Sequence, residues 1–217
     1  GVSNRRTKSS SGTRERDAEI ISEALAILSS GEVAVFPTET FYGLGADAFN
    51  ESAVERVASL KGRDPEDPIS LIISDKEMLT YLVADLPVAA QRLMEHFWPG
   101  PLTLVLPARE GLSNLVQNRN GGVGIRISSH PIAAALVQGL GRPLTATSAN
   151  PSGKTPARTL AEAQAYFSGR VKVFVDGGEL KGKKGSTVLE MTRNKIKIIR
   201  EGEIGLQELE QVLAGSC

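Results

Sequence analysis

Two hydrophobic periods alternate along this chain, and between them they leave few folds open. Short apolar runs such as "EVAVF", "PISLIIS", "PLTLVLPA" and "VGIRIS" read as buried strands. Between them lie longer segments whose apolar residues recur every three or four positions. "DAEIISEALAILSSG" sets Ile20, Ile21, Ala24, Leu25, Ile27 and Leu28 at helical spacing, with Asp17 as the expected N-cap and Gly31 past the end. "ESAVERVASLKG" predicts a second helix that stops near Lys61 and Gly62. "LPVAAQRLMEHF", "HPIAAALVQGLG", "TLAEAQAYFSG" and "LQELEQVLA" predict four more. "RPLTATS" and "VKVFVDGG" read as further strands, and "STVLEM" with "KIKIIREG" as a hairpin turning at Arg193 and Asn194. Strands interleaved with helices predict an α/β fold: one domain over residues 17–217, an open twisted mixed sheet with helices around it. The stretch before it, residues 1–16, contains "RRTKSSSGTRER" and reads as a basic, solvated arm.

Composition excludes several classes of function. The formal net charge is zero, so bulk charge makes no case for nucleic acid or a membrane surface. Cys217 is the only cysteine, which excludes an intramolecular disulfide framework and disfavours a cysteine nucleophile. No apolar run is long enough for a membrane span, and the first residues have no secretory apolar segment. A reducing, cytoplasmic setting is expected, with organellar targeting left open if residues precede Gly1. The two histidines, His96 and His130, lack metal-ligand spacing and read as packing or capping groups. "GGELKGKK" at 177–184 imitates a phosphate loop, but Lys184 stands where a hydroxyl is needed. A strand, "STVLEM", follows where a helix should open. It reads as a mobile basic loop, or as one whose lysines close over a polyphosphate.

Polar segments interrupt the core pattern at strand ends. "PTETFYGLG" reads as a loop of hydroxyls, one carboxylate and two glycines. Phe41 is expected to pack, and Glu39 and Asp47 receive no role. "KGRDPEDP" sets Lys61 and Arg63 two apart, suited either to phosphates or to a helix C-terminus that favours cations. In "GIRISSHP", Arg126 points opposite to Ile125 and Ile127. It is either an edge-strand arginine or the anion ligand of a cleft. In "TATSANPSG", Ser148 and Asn150 close a strand, either as turn formers or at the strand end where α/β sheets bind ligands. Ser186 in "GSTVLE" and Arg200 in "IIREG" form a weaker set.

Taken in order, "PTETFYGLGADA", "KGR" with a following Pro, "WPGPLTLVL", "GIRIS" with "HP", and "TSANPSG" resemble the YrdC family of threonylcarbamoyl-AMP synthases. The resemblance runs from about Gly31 to Gly202. It implies a YrdC-like fold with a large concave cleft, and an enzyme: a nucleotidyltransferase joining L-threonine, bicarbonate and ATP. The products would be threonylcarbamoyl-adenylate and pyrophosphate, the adenylate feeding a separate tRNA threonylcarbamoyl transferase. Magnesium would come with ATP, with no metal site of the protein's own. The resemblance implies Lys61 and Arg63 as the catalytic pair on the ATP phosphates. It implies Thr40, Arg126 and Ser186 for threonine, and Ser148, Asn150 and Arg200 for the nucleotide. Length suggests the single-domain form.

Two positions depart from the family pattern. Asp64 stands where many relatives carry proline, and Ile72 where several carry a histidine near threonine. Rival readings are a double-stranded RNA or tRNA-binding module without synthase activity, and a carbamoyl-adenylate enzyme of hydrogenase maturation.

Overall fold

The computed structural model describes residues 13–62 and 67–215. The α/β architecture is present, with its strands divided between two sheets rather than gathered in one. The smaller sheet contains β1 (Ala34–Pro37), β2 (Tyr42–Gly45), β7 (Thr147–Ser148) and β8 (Val173–Phe174), in the order β7-β2-β1-β8. The larger contains β3 (Leu71–Ile72), β4 (Leu102–Pro107), β5 (Gly122–Arg126), β6 (Leu144–Thr145), β9 (Thr187–Met191) and β10 (Ile196–Arg200). Its order is β10-β9-β4-β5-β3-β6. Both mix parallel and antiparallel pairs.

The helices are α1 (Thr13–Ser29), α2 (Glu51–Lys61), α3 (Val88–Phe97), α4 (Pro131–Leu140), α5 (Leu160–Phe167) and α6 (Leu206–Ala214). α1 begins at Thr13, so Asp17 lies inside it and does not cap it. Residues 13–16 therefore belong to a helix, and the rest of the expected arm, residues 1–12, lies outside the described residues. α2 ends where expected. The Asn50 side chain accepts the Ala53 N–H at its start, and Gly62 closes it in the left-handed region at φ 77°. α3 starts after Pro87, and His130 caps α4 through Nδ1, which accepts the Ile132 N–H at 3.1 Å.

The sequence "RPLTATS" reads as one strand but serves both sheets. β6 pairs with β3 in the large sheet, β7 with β2 in the small one, and only Ala146 lies between them. Thr145 makes the join. It is fully buried, its N–H donates to Ala46 O at 2.9 Å, and its hydroxyl bridges two backbone groups of the small-sheet side. That hydroxyl accepts from Ala46 N–H and donates to Leu44 O, each at 2.9 Å. The Ala146 N–H then donates to Ser70 O, next to β3.

Strand alternation divides the large sheet into two faces. Leu102, Leu104, Ile125 and Leu189 are buried in the core. The residues between them, Thr103, Val105, Gly124, Arg126, Val188 and Glu190, face a cavity.

Thr145→Val keeps the shape at the join and removes its hydroxyl. Leaving the Ala46 N–H buried without its acceptor is expected to cost about 1–3 kcal/mol. Urea unfolding should show a lower midpoint at unchanged slope.

Candidate functional site

The cavity measures about 590 Å³ and lies between the cavity face of the large sheet and the β1–β2 turn and β7 of the small one. Thr40, Arg126, Ser148, Ser186 and Arg200 all line it. Residues far apart in sequence thus converge on one space. Its charged lining comprises Arg119, Arg126, Lys197 and Arg200 against Asp67 and Glu190.

Arg126 lies on β5, an interior strand between β4 and β3, so it is not an edge-strand arginine. It is only 6% exposed. Its Nη2 donates to Glu39 Oε1 at 3.0 Å and reaches Thr40 Oγ1 at 3.4 Å. Its Nε is buried with no hydrogen-bond partner. Burial pulls the guanidinium's pKa down, Glu39 opposes that, and Arg200 adds repulsion. Thr40 is itself buried and shares a 3.0 Å hydroxyl contact with Thr38.

Glu39 had no role on sequence grounds, yet it organises this corner. Oε1 accepts from Arg126 and from Ser128 Oγ at 3.1 Å, while Oε2 accepts from the Ser129 N–H and from Ser129 Oγ. The sequence carries only half of this signal: an arginine flanked by isoleucines needs an anion, but its partner Glu39 lies about ninety residues away and nothing in the sequence singles it out. Asp47 is structural, pairing with Arg142 at 2.8 Å.

Lys61 is buried, and its ammonium donates to Ser148 O at 3.0 Å and to Ser148 Oγ at 3.3 Å. Burial lowers its pKa, with the charge of Asp67 acting in the opposite direction. The helix-end reading and contact with the site thus hold together: the last residue of α2 reaches the strand end that lines the cavity. Arg63 and Asp64 lie outside the described residues. Asn150 is buried beside Ser148 and accepts its hydroxyl at 2.6 Å, while its own amide donates to Pro151 O at 2.9 Å. It therefore shapes the turn and orients Ser148.

Ser186 accepts from Thr103 Oγ1 at 2.9 Å. Arg200 donates from Nη2 to Ser186 O at 3.1 Å. A regular β10 would put Lys197 and Ile199 on the cavity face and turn Arg200 away. A bulge between Ile198 and Arg200 shifts the register so that Arg200 pairs with Val188 and faces the cavity.

Other expectations are corrected. Tyr42 to Gly45 of "PTETFYGLG" form a strand, so only its first part is a turn. Tyr42 is fully buried and burial pushes its hydroxyl pKa up; that hydroxyl donates to Gly178 O at 2.7 Å and accepts the Gly177 N–H. Phe41 lines the cavity. The loop of "GGELKGKK" is held, because Lys183 and Lys184 N–H groups both donate to Glu203 Oε1, at 2.6 and 2.7 Å. A Cβ on Gly182 would stand 2.2 Å from Thr40 O, so the loop passes tightly over the site and only glycine fits. Ile72 is fully buried on β3 as the register partner of Arg126. His96 packs edge-on against Phe97. Among the described residues no group of three or more His, Cys, Asp or Glu is placed to hold a metal, and no helix is long and apolar enough to cross a membrane.

A family model named Sua5_yciO_yrdC, described as telomere recombination, matches residues 26–202. A threonylcarbamoyl-AMP synthase of Bacillus subtilis is 42% identical over 195 residues, covering 89% of this chain and 56% of that protein. One from Halorhodospira halophila is 39% identical over 157 residues, covering 72% and 82%. The chain spans only about half the length of the curated relatives it matches most strongly. The crystal structure of P. abyssi Sua5 complexed with L-threonine superposes with a TM-score of 0.85 at 37% identity, covering 90% of this chain and 57% of that one.

The capping role of His130 carries a pH signature. Its neutral ring accepts the Ile132 N–H, and burial depresses its pKa below the unfolded value of about 6.5. The unfolded chain therefore takes up the proton first. This contribution to stability is whole above pH ~6.5 and declines as pH falls below it, until the native ring is protonated as well. His130→Asn, which can still cap, should flatten that part of a stability-against-pH curve.

Proposed function

The chain belongs to the Sua5/YciO/YrdC family, and we propose that it joins L-threonine, bicarbonate and ATP to give threonylcarbamoyl-AMP and pyrophosphate. The adenylate would pass to a tRNA-modifying transferase. One observation carries the reading. Arg126, its Nε buried and without a partner, and Arg200 line one cavity together with the hydroxyls of Thr40 and Ser186, an arrangement suited to an anion.

The chemistry asks for such a cavity. The threonine amine attacks bicarbonate carbon, water leaves, and a carbamate forms. A carbamate oxygen then attacks the α-phosphorus of ATP, and the bond to pyrophosphate breaks. A carboxylate, a carbamate and a triphosphate must be held together, so positioning and charge neutralisation outweigh proton transfer. In this reading Arg126 takes the threonine carboxylate, with Thr40 and Ser186 beside it. Lys61 and Arg63 hold phosphates, and Ser148, oriented by Asn150, meets the nucleotide together with Arg200. Magnesium enters as MgATP, bridging phosphates. A lining of cations and hydroxyls suits a metal that arrives on its substrate.

The test is pyrophosphate release from MgATP with and without L-threonine and bicarbonate, with serine as the control amino acid. Release that needs both is the expected result. Release indifferent to threonine, or none from the folded protein, would overturn the reading, and duplex RNA would be the next ligand to try. Arg126→Ala should raise the threonine requirement more than the ATP requirement. Lys61→Ala should lower turnover while the chain remains folded, as far-ultraviolet circular dichroism would record.

A further inference from the structure

The carboxylate of Glu39 is unusual in being used completely by groups from a single neighbouring segment. Oε1 takes Arg126 Nη2 at 3.0 Å and Ser128 Oγ at 3.1 Å; Oε2 takes the Ser129 N–H and, at 3.0 Å, Ser129 Oγ. Its side chain is only 14% exposed, and that of Arg126 8%. Glu39 sits in the β1–β2 turn of the small sheet. Its partners run from the end of β5 in the large sheet to the start of α4. This one side chain therefore bolts the turn that carries Thr38 and Thr40 onto the strand end that carries Arg126.

The bolt leaves Arg126 in a defined orientation. One Nη2 edge is committed to Glu39 and Thr40, and the Nε is buried and unpartnered. A buried guanidinium without its carboxylate would be costly, and it would seek another partner or another rotamer. The neighbours on offer are poor substitutes. Ile72, its register partner, is apolar, and Arg200 repels it. Glu39 is thus the group that compensates the charge of Arg126 and holds it aimed. It also fixes the Thr40 hydroxyl within 3.4 Å of that guanidinium.

We propose that Glu39 is the positioning residue of the amino-acid subsite: it locks Arg126 and Thr40 into one carboxylate-recognising unit without itself touching substrate. This rests on the reading that the cavity binds L-threonine. Lys61 and Ser148 make no contact with Glu39 and are held by each other, so the phosphate side should not depend on it.

Glu39→Gln tests the proposal. The amide can still accept from Arg126, but it cannot serve all four donors and carries no charge. Two readouts are needed. The first is the KM for L-threonine against the KM for ATP, read from pyrophosphate release. The second is the Arg126 Nε–H resonance in ligand-free protein, assigned by its loss in Arg126→Lys, which reports the pinning of the guanidinium whatever the cavity binds. The expected result is a threonine KM raised about tenfold or more, an ATP KM within about twofold, and an Arg126 resonance shifted or exchange-broadened. An unchanged resonance and threonine KM would overturn the proposal. So would a parallel rise in both KM values with spectral changes across the whole protein, which would mark Glu39 as scaffold. If the wild-type protein shows no threonine-dependent turnover but Glu39→Gln still releases the Arg126 resonance, the synthase reading falls and the positioning of Arg126 by Glu39 stands.

Discussion

The two sheets meet at Thr145, and the cavity exists because they meet there. A buried hydroxyl that both accepts and donates can satisfy two backbone groups at once, and here both belong to the strand that continues past β2. The strand from Leu144 to Ser148 is thereby split between two ladders, with one residue to make the crossing. Because β6 and β7 are so short, neither sheet can slide far against the other. Ser148 is then delivered to the cavity by β7, while the neighbouring strands of the large sheet deliver Arg126, Thr103 and Glu190 from the opposite side. Glu39 closes the same gap at the other end of the β1–β2 hairpin.

Within that frame the site is an exercise in electrostatics. No cysteine lines the cavity, and no histidine does so either. Its cations are positioned by neighbours: Arg126 by Glu39, Arg200 by the backbone and hydroxyl of Ser186, and Lys61, just behind the wall, by Ser148. Fixed dipoles and charges of this kind need little reorganisation when an anion enters, which is where charge stabilisation by a protein gains over water. The buried hydroxyl network of Thr38, Thr40, Thr103 and Ser186 fixes the lining further, since each of these groups has a protein partner before any ligand arrives.

Much of this was legible in the chain. The end of α2 was marked by Gly62, which closes it in the left-handed region, whereas the N-cap expected at Asp17 lies inside α1. The orientation of Arg126 followed from its isoleucine neighbours by strand alternation. What was not legible depended on contacts distant in sequence. Nothing in "RPLTATS" says that it changes sheets halfway, because both halves are extended in either arrangement. Arg200 obeys a bulge that the alternation of "KIKIIR" hides, since a two-residue period predicts it on the wrong face. Glu39 received no role, because its four donors lie about ninety residues away. For Asn150 the sequence left turn former and ligand contact both open; the structure shows its bonds within the turn, to Ser148 and Pro151.

The charge balance around Arg126 bears on the departure from the family pattern at Ile72. Arg126 and Glu39 together are neutral, so a bound carboxylate would bring one uncompensated negative charge into a largely buried corner. Arg119 and Arg200 line the same cavity and bring further positive charge to it. A cationic residue at position 72 would add another positive group in register with Arg126. Isoleucine is instead fully buried on the neighbouring strand, in register with Arg126, and adds no charge to the corner. On the proposed reading, the selectivity of the corner would rest on shape and on the hydroxyls of Thr40 and Ser186 more than on additional charge.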